Sequence, residues 1–186
     1  MLEREVKIRF TDPDHARTAL TSIGAARLRP RRLQDDTLYD TVDGALRLRR
    51  SVVRLRREPH QAFVTFKGPV QPGPMKTRDE HETTVGDADV FERVLTELGF
   101  APWFRYQKYR EEFEAHGVTI ALDETPVGTY LEIEGDEVGI LQVTSLLGRT
   151  SADFILDSYR ALFLAHSRAT GLTTRDMLFD REAQGA

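Results

Sequence analysis

Stretch after stretch of this chain alternates charged and apolar residues at a period of two, and that alternation constrains the fold more than any other feature. The opening MLEREVKIRF puts Glu3, Glu5 and Lys7 on one side of an extended strand, with Leu2, Arg4, Val6, Ile8 and Phe10 on the other. Arg47 and Arg49 stand opposite Leu46 and Leu48, and Arg54 and Arg56 stand opposite Val53 and Leu55. Thr65 and Lys67 oppose Val64 and Phe66. Arg78, Glu80 and Glu82 share one face, as do Lys108, Arg110 and Glu112, and Glu132 and Glu134 oppose Leu131 and Ile133. Each set follows strand periodicity.

Between these segments lie a few amphipathic helices. Residues 11–25 predict the first: Thr11 or Asp12 caps it, Pro13 suits its first turn, Ala16, Leu20 and Ile23 form its stripe, and Gly24 ends it. Residues 87–100 predict a second, with Val90, Phe91, Val94, Leu95 and Leu98 on one side. Residues 137–148 read as a third despite Gly139, and the segment from Ser158 through His166 as a fourth. Residues 27–39, 45–50, 52–58, 61–69, 76–85, 104–115, 118–124 and 129–135 read as extended chain. The Pro/Gly-rich PVQPGPM between Lys67 and Lys76 is a loop, and KGPVQPGPMK lacks the pattern of a Walker A loop. The segment through MLFD is expected to dock, and Arg181–Ala186 to fray. The strands are joined mostly by short turns and show no regular strand–helix repeat, which favours an α+β fold with antiparallel pairing. The length of 186 residues suits one domain spanning 1–186.

A lone strand of this kind usually turns its charged side to water. The repeated use of paired arginines and paired glutamates argues otherwise, because exposed ion pairs add only about 0–1 kcal/mol each. If the strands close into a barrel with these faces inward, Arg47, Arg49, Arg54, Arg56, Lys67, Arg78, Lys108 and Arg110 line a basic sector. Glu3, Glu5, Glu80, Glu82, Glu132 and Glu134 then form acidic sectors, and the helices cover the apolar exterior. Such an interior must be wet and hold ions or ligand. Arginines clamp phosphoryl oxygens, and carboxylates take hard cations such as Mg²⁺ or Mn²⁺. Together these demands describe a metal–polyphosphate complex.

The bulk composition narrows the setting. Basic and acidic residues number 26 and 30, a net charge of −4, which argues against a nucleic-acid binder driven by a basic surface. The chain has no cysteine, so disulfides and thiolate metal sites are excluded. No apolar run approaches membrane-spanning length and the N-terminus lacks a secretory pattern, so a cytoplasmic, soluble protein without membrane partners is expected. The histidines are scattered without metal-site spacing, and homodimerisation has no distinct signature in the sequence.

Glu3-Arg4-Glu5-Val6-Lys7 matches the ExExK signature of the CYTH superfamily, the triphosphate tunnel metalloenzymes, and the chain resembles that family through the ordered series that follows to the LEIEG segment. The resemblance spans roughly residues 1–159. It implies a closed or nearly closed antiparallel eight-stranded tunnel barrel and metal-dependent action on a triphosphate-containing small molecule. It places Glu3, Glu5 and Lys7 in catalysis and Glu3, Glu5, Glu80, Glu82, Asp123, Glu132 and Glu134 around the metal. Arg54, Arg56, Lys67, Arg78, Lys108 and Arg110 match substrate-facing positions, while Arg47 and Arg49 either contact phosphate or frame the entrance. Tyr39 in DDTLYDT either stands near the organic part of a substrate or packs beside a turn.

Three activities stay open at this level. Hydrolysis of inorganic, thiamine or nucleoside triphosphate leads. Class IV adenylate cyclase chemistry and non-catalytic binding of polyphosphate or nucleotide are the alternatives. A shift of substrate register by one or two phosphates separates the first two.

Overall fold

The structure, a computed structural model, describes residues 2–180. Its strands are β1 (Leu2–Phe10), β2 (Ala26–Thr41), β3 (Val52–Arg57), β4 (Ala62–Lys67), β5 (Lys76–Val85), β6 (Phe100–Ala115), β7 (Val118–Thr125) and β8 (Gly128–Glu134). They close into one antiparallel barrel in the order β1-β5-β4-β3-β2-β6-β7-β8. The helices are α1 (Pro13–Ser22), α2 (Ala45–Leu48), α3 (Ala88–Glu97), α4 (Glu137–Leu146) and α5 (Tyr159–Thr170), with a 3-10 turn at Ser151–Asp153. The α+β architecture and its closed eight-stranded antiparallel barrel are as the sequence led us to expect.

The opening alternation is realised in β1. Val6, Ile8 and Phe10 point outward into a core with Ile120 and Leu122 of β7 and Leu131 and Ile133 of β8, covered by Ala16 and Leu20 of α1 and Ile140 and Val143 of α4. Burying each large apolar side chain stabilises by about 1.5–3 kcal/mol. That gain comes from outside the barrel, so the interior is free to carry charge. Register then fixes which charges face one another: Glu5 lies opposite Glu134 and Lys7 opposite Glu132, while Glu3 lies opposite Arg78 on the other flank.

Local chemistry sets the helix ends. Asp12 caps α1 by accepting from His15 N at 2.8 Å, Asp87 caps α3, and Ser158 caps α5. Gly139, which weakens the helical pattern of α4, has a packing reason. A Cβ there would lie 2.5 Å from Val118 Cγ1 and 3.3 Å from His116 O, so only glycine lets α4 approach the start of β7 this closely.

Residues 45–50 depart from the expected strand. Asp40 accepts from the backbone N–H groups of Thr41, Leu46 and Arg47, and Thr41 Oγ1 accepts from Ala45 N. These bonds cap a helical turn, α2, which Arg50 ends at φ 55°. Side chain-to-backbone bonding outweighs the alternating pattern here. Tyr39 is fully buried outside the tunnel beside Leu55 and Leu95, with its hydroxyl donating to Glu92 at 2.6 Å, so it packs and does not face a ligand. The MLFD segment docks as expected: Met177 is fully buried and exchanges backbone hydrogen bonds with Arg105 and Gln107 of β6. Residues 181–186 lie outside the described residues. Among the described residues no helix is long and apolar enough to cross a membrane.

Candidate active site

A cavity of about 420 Å³ runs inside the barrel. Its wall includes Glu3, Glu5 and Lys7 from β1, Arg54 and Arg56 from β3, Lys67 from β4, and Arg78, Glu80 and Glu82 from β5. Lys108 and Arg110 come from β6, and Glu132 and Glu134 from β8. The structure thus brings nearly all the residues singled out in sequence onto one surface. Arg47, Arg49 and Asp123 do not line it. The helical turn α2 leaves Arg49 exposed, and it ties Arg47 to Asp40 at 2.8 Å.

The charges are arranged in two groups. One gathers around β1 and β5. Lys67 donates to Glu3 at 2.9 Å and contacts Glu80 at 2.5 Å, Arg78 reaches Glu3 at 3.2 Å, and Lys76 reaches Glu5 at 2.5 Å. Burial favours the neutral form of Glu3, but its hydrogen bond with Glu80 and the charges of Lys67 and Arg78 outweigh this and hold it at about 2. Burial and the hydrogen bond with Glu3 raise Glu80 above the ordinary carboxylate value, against the opposing charge of Lys67. Glu134 stands at the rim, reached by solvent, yet it is pushed up to about 7 by desolvation and by the Glu3 and Glu5 carboxylates.

The second group lies across the tunnel. Asp123 is fully buried and accepts from Lys108 Nζ at 2.7 Å, Arg110 Nε at 2.7 Å and the Tyr159 hydroxyl at 2.6 Å. Arg110 also contacts Glu132. Burial, then Arg110, pull Lys108 down to about 8. Lys7 behaves oppositely. Burial disfavours its charge, but Glu132 at 3.0 Å and Glu5 at 3.3 Å raise it above the ordinary lysine value, so it stays an ammonium. Asp36, fully buried, accepts from Arg56 Nε at 2.9 Å. Arg54 Nε is buried 3.4 Å from Asp36 Oδ1, within ion-pair reach but without a hydrogen bond.

Several inward-facing positions escaped the sequence reading. Lys76 shares the parity of Arg78, Glu80 and Glu82, so its inward position was legible. Asp36 and Gln34 alternate inward on β2, and Tyr106 does so on β6 beside Lys108. Tyr159 gave no such signal, because it enters the tunnel from a helix.

A divalent metal is the group the sequence pattern calls for. Among the described residues no three acidic or imidazole side chains stand in a ready-made metal cluster. The donor chemistry nevertheless fits a hard cation. Glu3, Glu5, Glu80 and Glu134 supply oxygen only, and burial together with their mutual crowding raises Glu134 and Glu80. Most of the tunnel carboxylates are paired with cations: Glu3 and Glu80 with Lys67, Glu5 with Lys7 and Lys76, Glu132 with Lys7 and Arg110, and Glu82 with Arg54.

Known proteins share this architecture and sequence. A protein of Pyrococcus horikoshii OT3 is 28% identical with a TM-score of 0.72, the match covering 88% of this chain and 99% of that one. A candidate adenylate cyclase from Vibrio parahaemolyticus has the same fold, at 19% identity and a TM-score of 0.74 over 88% of this chain and 98% of its own. In sequence, a candidate adenylate cyclase of Methanocaldococcus jannaschii is 27% identical over 135 residues, 72% of this chain and 77% of that protein. The CYTH domain matches residues 1–147, from the first glutamate pair through α4. With its charged faces turned into a closed eight-stranded tunnel and that match across most of its length, the chain belongs to the CYTH superfamily, the triphosphate tunnel metalloenzymes.

Proposed function

We propose that the chain hydrolyses a triphosphate compound with the help of Mg²⁺ or Mn²⁺. One observation carries the reading: a single cavity sets a wall of lysine and arginine against a crowd of carboxylates. A triphosphate tail satisfies the first and a hard cation the second. Glu3, Glu5, Glu80 and Glu134 are the residues that would hold the ion, with Glu132 beside them. The ion, when bound, neutralises phosphate charge and lowers the pKa of a water.

The chain's own residues do the remainder. Arg54, Arg56, Lys67, Arg78 and Arg110 bind phosphoryl oxygens, and Arg54 brings an unused buried Nε–H to that task. As Lys67 turns from Glu3 and Glu80 toward phosphate, those carboxylates become available as donors. Lys7 keeps its proton and orients the attacking oxygen by hydrogen bonding from Nζ. Asp123 is a positioning residue that sets the angle of Lys108 and Arg110.

Cyclisation of ATP is the second reading, favoured by the Methanocaldococcus jannaschii relative, a candidate adenylate cyclase. Hydrolysis stands ahead of it. A candidate adenylyl cyclase from Hippeastrum that shares the fold, at 20% identity and a TM-score of 0.65 over 88% of this chain and 96% of its own, has a dominant triphosphatase activity. The test is a product-resolved panel of ATP, thiamine triphosphate and inorganic tripolyphosphate with each metal. Orthophosphate release supports hydrolysis, cyclic AMP with pyrophosphate supports cyclisation, and metal-dependent binding without product leaves a binding module. Glu134→Gln with Glu132→Gln should abolish turnover at limiting metal; normal turnover in the folded double variant would remove both from the site.

A further inference from the structure

The cavity does not carry the same chemistry along its length. Toward the end where β2, β3 and β6 meet α5, its wall becomes apolar and aromatic, with Leu38, Val52, Trp103 and Phe104. Two arginines converge there on one indole: the guanidinium carbons of Arg47 and Arg160 each lie 4.8 Å from the centre of the Trp103 ring. Arg47 comes from α2 and is fixed by Asp40, itself buried and gripped by backbone N–H groups. Arg160 comes from the first turn of α5 and lines the cavity. Among the described residues no carboxylate stands within ion-pair distance of it. Burial and the charge of Arg47 both pull its pKa below the ordinary arginine value, the mark of positive potential that nothing nearby relieves.

The middle of the tunnel is internally neutralised, whereas this end pairs an aromatic wall with the charge of Arg160, beside an Arg47 already paired with Asp40. A neutral heteroaromatic ring gains there by stacking on the indole and on planar guanidinium groups. A cationic ring meets the like charge of Arg160 in the cavity wall, and the indole that would attract it already faces two guanidinium groups.

We propose that Arg160, together with Trp103 and Arg47, acts as a specificity filter that selects a triphosphate carrying a neutral heteroaromatic base, as a nucleoside triphosphate does, over one carrying a cationic ring such as the thiazolium of thiamine triphosphate. The proposal rests on the triphosphate reading above and narrows its substrate class. Trp103 and Arg160 lie in β6 and α5, and Arg160 falls beyond the residues matched by the CYTH domain.

The experiment compares kcat/KM and calorimetric Kd for ATP and for thiamine triphosphate, at one metal concentration, in wild type, Arg160→Gln, Arg160→Glu and Trp103→Leu. Wild type should favour ATP roughly tenfold or more, the factor that about 1.4 kcal/mol of discrimination gives. Arg160→Glu should lower the ATP-to-thiamine triphosphate ratio by roughly tenfold, with Arg160→Gln between them. Trp103→Leu should weaken ATP and leave the ratio near unity. A wild type that prefers thiamine triphosphate, or ratios that Arg160→Glu and Arg160→Gln both leave within twofold, would overturn the filter. The two conclusions separate cleanly. Absence of hydrolysis for every triphosphate overturns the proposed activity, whereas Kd ratios unmoved by Arg160 substitution overturn the filter whether or not hydrolysis occurs.

Discussion

Replacing Asp123 by asparagine keeps the side chain's shape and removes the one negative charge that Lys108 and Arg110 share most closely. Wild-type Asp123 is fully buried and takes donors from Lys108, Arg110 and Tyr159 at 2.7, 2.7 and 2.6 Å. Removing one partner from a buried ion pair typically costs about 3–5 kcal/mol. Lys108 limits the damage, because its folded pKa of about 8 is already below the ordinary 10.5 and it can shed its proton. The low end, about 3 kcal/mol, is therefore expected at pH 7, which lowers Tm by about 6–12 °C for a chain of this size.

The pH dependence gives the prediction its edge. A group whose folded pKa is depressed below its unfolded value holds fewer protons folded than unfolded between the two, so its share of stability rises with pH across that window. In wild type the window for Lys108 opens at about 8. In Asp123→Asn it opens lower, so Lys108 is already neutral at pH 7. One pH unit below its pKa, wild type gains about 1.4 kcal/mol from keeping the proton, and above about pH 9.5 it gains nothing. The Tm gap between the two proteins should therefore narrow by about 3–6 °C from pH 7 to about pH 9.5. Thermal unfolding of both proteins in chelator at the two pH values measures it. A gap that is the same at both, or a drop below about 2 °C at pH 7, would refute the account of this buried cluster.

The other predictions concern single contacts. Tyr159→Phe keeps the ring against Lys7 and Lys108 but deletes the hydroxyl that donates to Asp123, so calorimetry should show a loss of about 1.5–3 kcal/mol; an unchanged Tm would place that bond outside the stability of the tunnel. Glu134→Gln removes a carboxyl whose folded pKa of about 7 lies above the ordinary 4.5, so wild type loses stability as pH rises between those values and the variant does not. Because solvent reaches this side chain, the metal-free variant should gain only about 1 kcal/mol at pH 8, while its Mn²⁺ affinity by titration falls roughly tenfold or more. A variant less stable than wild type at pH 8 in chelator would contradict the crowding of acidic groups. Gly139→Ala forces a Cβ to 2.5 Å from Val118 Cγ1 and should cost about 1–3 kcal/mol in chemical denaturation, with no change if α4 simply lifts away.

What could be read in sequence follows from where periodicity governs. On β1, β3, β4, β5 and β8 side chains alternate without interruption, so parity alone sorted Glu3, Arg54, Lys67, Arg78 and Glu134 inward and Val6, Leu55 and Ile133 outward. The same logic failed at Arg47 and Arg49, because parity presumes a strand and Asp40 imposes a helical turn through side chain-to-backbone bonds. Tyr39 was open between facing a substrate and packing beside a turn, and its burial beside Leu55 and Leu95 decides for packing. Asp123 was noticed as an acidic position, yet its partners come from β6 and α5, and no local pattern reports a contact 36 residues away. Tyr159 and Arg160 were invisible for the same reason: a helix delivers them, and only the closed barrel decides where that helix lands.

A tunnel lined by this much charge stands because its cations and carboxylates satisfy one another before any ligand arrives. Lys67 holds Glu3 and Glu80, and Lys7 holds Glu5 and Glu132. An incoming polyanion that recruits Lys67 without replacing it would strand Glu3 beside Glu5, Glu80 and Glu134, and buried carboxylates left without a counter-charge are costly. A cation that entered alone would meet lysines already in place and be repelled by them. Each ligand therefore removes the obstacle to the other, and linkage makes the benefit mutual: whatever factor the metal adds to triphosphate affinity, triphosphate must add to metal affinity. The paired interior is thus more than a scaffold for a site. If the proposed function holds, such an interior would resist either ligand by itself and favour the two together.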